Sequence, residues 1–99
     1  MTLSRVTCAR AEALFVSAVQ PSERPTAYQV RRAVAHSLLR HRLAGCAALV
    51  AQEYGDHPGA ALDRMRWAVA AVRNAYPASR VAAAPAPRPR RTEVCAGRC

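Results

Sequence analysis

The chain has 99 residues and a formal net charge of +9, and all 15 of its basic residues are arginine. A folded part of roughly 75 residues leaves little room for a deep active site, so we expect one domain and no enzyme. The charge favours polyanionic partners, namely nucleic acid, an acidic protein or an anionic membrane. No window has the ~18 apolar residues of a membrane span, and residues 1–10 lack the apolar segment of a signal peptide. We therefore expect a cytoplasmic protein.

Two helices are predicted in the first half of the chain. The first should run over residues 7–20, with Thr7 as its cap. A proline-containing connector follows, and Thr26 then precedes Gln29 by the three residues of a capping box. This spacing predicts a second helix over about residues 27–43.

The second helix has two contrasting faces. Its apolar stripe consists of Val30, Val34, Leu38 and His41, and the opposite side carries Arg32, His36 and Arg40. The arginines are either an ordinary solvated face or a strip that contacts phosphates or an acidic partner.

Residues 45–76 read as a helix–turn–helix pair. Gly45 is predicted to end the second helix and Gly55 to form the turn, because glycine tolerates the left-handed backbone of helix ends. Between them we expect a short third helix over residues 46–54, with Val50 and Tyr54 facing inward and Ala51 at the crossing point. Pro58 suits the first position of a fourth helix, capped by Asp56 or His57. The sequence thus predicts an all-α bundle of about four helices.

The fourth helix has the most regular apolar pattern. Steps of three and four residues place one narrow seam along it, made of Leu62, Met65, Val69, Val72 and Tyr76. Trp67 lies off this seam. It is expected either to pack against a neighbouring helix or to contact a partner.

The predicted helical domain covers residues 1–77, and residues 78–99 are predicted to be a disordered basic tail. The tail is rich in proline, alanine and arginine and has no periodic apolar residues, so it cannot form a core. Its cysteines, Cys95 and Cys99, have no second close pair elsewhere in the chain, so we expect no metal site. No cofactor is predicted.

Within the fourth helix, P-G-A-A-L-D-R-M-R-W-A resembles the recognition segment of sigma-factor region 4 domains. The places of that segment are filled by Gly59, Ala60, Ala61, Arg64, Met65 and Ala68. The resemblance implies DNA binding through a helix–turn–helix. Arg64 and Arg66 would contact bases or phosphates, and Asp63 would accept from a cytosine amino group. The complete expected nucleic-acid-binding set is Gly59, Ala60, Asp63, Arg64, Arg66 and Arg73.

The chain as a whole is also similar to small actinobacterial proteins that are rich in alanine and arginine and have no assigned function. The similarity lies in L-F-V-S-A-V-Q-P-S-E-R-P-T, Q-V-R-R-A-V, G-C-A-A-L-V-A-Q-E-Y-G-D-H-P and R-M-R-W-A. It assigns no role to any residue.

These patterns leave three functions open. The first is a small DNA-binding or transcription-associated regulator, acting as a homodimer or with a protein partner. The second is a non-enzymatic interaction module that binds an acidic protein through the fourth helix, with Trp67, Arg32 and Arg40 as contact residues. The third is association with a membrane surface through the second helix.

Overall fold

The computed structural model describes residues 3–77, which form three α-helices and a short 3₁₀ turn. The helices are α1 (Arg5–Phe15), α2 (Ala27–Asp56) and α3 (Pro58–Ala75), and the 3₁₀ turn is Pro21–Glu23. No strand occurs in this part of the chain, so the all-α prediction is confirmed. The count of four helices is wrong, because the predicted second and third helices are one kinked helix. The predicted tail, with Cys95 and Cys99, lies outside the described residues.

Helix α1 begins and ends earlier than its apolar pattern suggests. Ser4, and not Thr7, is its N-cap, since the Thr7 N–H donates to the Ser4 hydroxyl at 3.0 Å. At the other end the Ser17 hydroxyl donates to the Leu14 carbonyl at 2.7 Å and accepts from the Val19 N–H at 3.2 Å. Such local serine bonds compete with helical backbone bonds. The helix therefore ends at Phe15 and does not reach Gln20.

The capping box at the start of α2 is confirmed. The Gln29 N–H donates to the Thr26 hydroxyl at 3.1 Å, and the Thr26 N–H donates to the Gln29 side-chain oxygen at 2.8 Å. These two bonds satisfy donors that the first turn of a helix otherwise leaves unpaired.

We expect Thr26→Ala to lower the free energy of unfolding by about 1 kcal/mol, because one of these donors loses its acceptor. Urea denaturation followed by circular dichroism would measure the change. Thr7→Ala is the matched control and should cost less, since the Thr7 side chain does not cap a helix. An equal loss in both variants would contradict the assigned caps.

A kink at Arg42 divides α2 into halves of different orientation. The φ and ψ angles of Arg42 are 66° and 173°, outside the helical region. The buried side chains of α2 are, in chain order, Val30, Val34, Ser37, Cys46 and Val50. In a straight helix Ser37 and Cys46 would be about two and a half turns apart and would face opposite sides. The kink turns both halves toward one core, and it replaces the break that was predicted at Gly45.

Two close contacts across the kink explain why Gly45 and Cys46 occupy the positions that follow it. A Cβ atom on Gly45 would lie 3.1 Å from the Cβ of His41, so the kinked backbone favours glycine here. The Cys46 thiol donates to the Ser37 carbonyl at 3.8 Å and joins the two halves. Burial, together with the negative charge of Glu12, raises the pKa of this thiol. Cys46 therefore stays protonated and keeps its role as a donor.

A single residue, His57, separates α2 from α3. Its φ and ψ angles of −141° and 67° leave the helical region, and Pro58 is the first residue of α3, as predicted. Helix α2 continues through Gly55, and no described glycine has a positive φ, so the predicted glycine turn is wrong. The His57 side chain makes no capping hydrogen bond. The two helices thus meet at a very short corner.

The core lies between the three helices, and α3 contributes three alanines, a methionine and a valine to it. Helix α3 buries Ala61, Met65, Ala68, Val72 and Ala75, again at steps of three and four. Leu62, which was assigned to this seam, is 43% exposed, whereas Val50 of α2 is buried and Tyr54 half-buried, as predicted. Ala51 was expected at the crossing point but is exposed. None of the described helices combines the length and the apolar character that crossing a bilayer requires.

Candidate nucleic-acid interface

Arg64 of α3 points toward the end of α1 and not toward solvent. Its Nε donates to the Phe15 carbonyl at 2.7 Å, and its Nη2 donates to the carbonyls of Ser17 and Val19 at 3.0 and 2.9 Å. The last carbonyls of a helix have no partner within that helix. Arg64 therefore closes the C-terminus of α1, where a cation is also favoured by the helix dipole.

Two aromatic rings flank the Arg64 guanidinium. Its central carbon lies 5.0 Å from the Trp67 ring centroid and 5.7 Å from that of Phe15. Burial lowers the pKa of this guanidinium, although arginine is effectively always protonated in proteins. Carbonyl dipoles and ring faces replace the water that the cation loses. Trp67 is itself half-buried and packs against the core, which is the first of its two predicted alternatives.

The inward position of Arg64 disagrees with its predicted contact with bases or phosphates. A signal for this position exists in the sequence, since Arg64 lies three residues after Ala61 and four before Ala68. Both alanines are fully or almost fully buried. A long side chain between two such positions borders the core, and its guanidinium then reaches polar groups of a neighbouring helix.

A second arginine closes the end of α3. Arg31 Nη1 donates to the Ala75 carbonyl at 3.1 Å, and the Arg10 guanidinium lies 3.8 Å from the ring centroid of Tyr76. The remaining predicted partner contacts, Arg32 and Arg40, are exposed on the first half of α2. Within residues 3–77, the arginines therefore include some that tie helices together, such as Arg31 and Arg64, and others that face solvent, such as Arg32 and Arg40.

The exposed face of α3 contains the other predicted nucleic-acid contacts. Gly59, Ala60, Asp63, Arg66 and Arg73 are all exposed. Arg66 and Arg73 lie seven residues apart, which places them on one side of the helix about 10.5 Å apart along its axis. Neither has a carboxylate at ion-pair distance among residues 3–77. This spacing is close to the ~12 Å width of the DNA major groove.

Leu62 belongs to the same exposed face and was not predicted there. It precedes Arg66 by one helical turn and follows the exposed N-terminus of α3 at Gly59. Its apolar side chain had indicated a core residue. The structure places it outside the core, with its side chain partly in water.

No family model, curated protein or solved structure matches this chain. The resemblance of residues 45–76 to sigma-factor region 4 therefore stays a prediction.

Proposed function

We propose that this protein is a small DNA-binding, transcription-associated regulator that places the exposed face of α3 in the major groove. The observation that supports this most is the pair Arg66 and Arg73, two guanidinium groups on one face without a carboxylate partner in the described region. Both arginines lie on α3, which follows α2 after a single residue. The helices α2 and α3 therefore form a helix–corner–helix unit.

The start of α3 supplies a second kind of contact. Pro58, Gly59 and Ala60 are exposed, and a Cβ atom added to Gly59 would meet nothing within 4 Å. The amide groups of a first helical turn carry partial positive charge and suit a phosphate. Residues early in a recognition helix read base edges, which gives Leu62 and Asp63 the role of base contacts.

The proposal predicts binding that depends steeply on salt and on these two arginines. Each phosphate contact contributes about −0.9 to the slope of log K against log salt. Replacing Arg66 and Arg73 by alanine should therefore make the slope shallower by about 2 and weaken binding. Fluorescence anisotropy of a labelled duplex pool, titrated at about 50 to about 200 mM salt, would measure both quantities.

The matched control is the double variant Arg32→Ala/Arg40→Ala, which removes the same charge from an exposed part of α2. Its slope should change by less than half as much as that of the α3 variant. Equal losses in the two variants would show nonspecific attraction only and contradict the α3 interface. A wild-type protein that binds no duplex at about 50 mM salt would overturn the proposal.

The exposed arginines Arg66 and Arg73, with Leu62 beside them, also favour a second function, the binding of an acidic protein. In this version the contact surface is the solvent face of α3 around Leu62, because Met65 and Val72 of the predicted seam are buried and Trp67 packs against the core. Polyglutamate is a suitable probe. Binding of polyglutamate without binding of duplex, together with its loss in Arg66→Ala/Arg73→Ala, would favour this alternative.

A further inference from the structure

Two large apolar side chains lie exposed on either side of the α2 kink. Leu39 is 82% exposed and Leu43 is 60% exposed, and Arg42 lies between them. In a straight helix, Leu39 and Leu43 would continue into Cys46 and Val50 at steps of four, three and four residues. Such steps form one apolar stripe along a helix. The kink breaks this stripe, because it turns Cys46 and Val50 into the core and leaves the two leucines outside.

The kink also holds Arg42 in an unfavourable conformation. A φ of 66° with a ψ of 173° belongs to a backbone region that is essentially restricted to glycine. The surrounding residues 39–51 are rich in alanine, leucine and arginine, which favour a continuous helix. Gly45 is the exception, and its missing Cβ relieves a contact that only the kinked form makes. The local sequence therefore favours a straight helix, whereas the core of a single copy requires the kink.

We propose that α2 straightens at Arg42 and that two copies of this chain exchange residues 43–75 to form a domain-swapped dimer. A straight α2 in one copy alone would expose the apolar faces of both of its halves. A second copy restores the core, because residues 5–41 of each copy pack against residues 43–75 of the other. The two straight α2 helices then lie side by side and bury Leu39 and Leu43 of both copies.

The charges near the hinge give this dimer a distinct salt dependence. Arg40 and Arg42 of the two copies approach one another in the dimer, and added salt screens their repulsion. Dimerisation therefore strengthens with salt, whereas DNA binding weakens. The inference does not rest on the proposed DNA binding, and the two are distinguished by this opposite response.

Sedimentation equilibrium of the full chain under reducing conditions tests the proposal, with protein concentrations up to about 1 mM. Gly45→Ala adds the close contact to the kinked form and favours the straight helix. Arg42→Gly relieves the kinked form and disfavours the straight helix. We expect each variant to change the equilibrium between kinked and straight α2 by about tenfold per copy, and a dimer contains two copies. The dissociation constant should therefore fall roughly 100-fold for Gly45→Ala and rise roughly 100-fold for Arg42→Gly.

The double variant Leu39→Gln/Leu43→Gln tests the contact between the two straight α2 helices. Both leucines are exposed in the single copy, so the helical content should not change, while the dissociation constant should rise at least about tenfold. If Gly45→Ala does not fold, Arg42→Gly and the leucine variant must both weaken the wild-type dimer. A wild-type chain that stays monomeric at about 1 mM overturns the proposal. So do variants whose constants equal that of the wild type.

Native mass spectrometry of mixed labelled and unlabelled dimers tests the exchange itself. Swapped copies separate only when their cores open, so mixed dimers should appear on the timescale of unfolding. Mixing within seconds would show a dimer held by surface contact and contradict the exchange.

Discussion

Arg64→Ala is expected to lower the free energy of unfolding by about 2–4 kcal/mol, because carbonyl groups at the end of α1 lose a charged donor. The variant also loses the packing of the guanidinium between Phe15 and Trp67. A core of this size supplies only about 3–5 kcal/mol of net stability. Arg64→Ala should therefore be partly unfolded at room temperature.

Urea denaturation of Arg64→Ala, followed by the helical circular dichroism signal, measures this loss. Arg66→Ala is the matched control, since it removes the same charge two residues away from an exposed position, and it should change stability by at most about 0.5 kcal/mol. The loss of stability for Arg64→Lys should lie between those of Arg64→Ala and Arg66→Ala. Lysine keeps the charge but lacks the planar fork that reaches several carbonyls. Equal stabilities of the Arg64 and Arg66 variants would contradict the assigned role of Arg64.

Met65→Ala is expected to cost about 2–5 kcal/mol, because Met65 is 1% exposed and its removal leaves a cavity between the three helices. Leu62→Ala on the same helix should cost at most about 0.5 kcal/mol, since Leu62 is largely in water. Thermal and urea denaturation of both variants measures the difference. An equal loss of stability for Leu62→Ala and Met65→Ala would mean that Leu62 is buried, as its apolar pattern predicts, and would contradict the exposed position assigned to it here.

Features that depend on neighbouring residues could be predicted from the sequence. The capping box of Thr26 and Gln29 uses side chains three residues apart, and Pro58 marks a helix start through its own fixed φ. Both are found in the structure. Exposure of Arg32 and Arg40 likewise follows from the apolar pattern on the opposite side of the helix.

Features that depend on packing between helices could not be predicted in this way. Ranking residues by size and hydrophobicity assigns Leu62 to the core and ignores Ala61, yet close helix packing favours the smaller side chain. The kink at Arg42 arises because two buried faces of α2 must meet one core, which no local signal at an arginine indicates. The inward turn of Arg64 depends on where α1 ends, and that end was itself predicted five residues too late.

The two arginines that close helix ends, Arg31 and Arg64, have a consequence for how the basic character of this protein is measured. Neutralising each arginine in turn would mix two phenotypes, because weakened attraction to a polyanion and plain unfolding both reduce a binding signal. The formal charge of +9 counts every arginine of the chain, including Arg31 and Arg64, whose guanidinium groups bond to backbone carbonyls of the fold. If only the solvent-facing arginines are replaced and helicity is recorded for every variant, a loss of binding can be distinguished from a loss of folding.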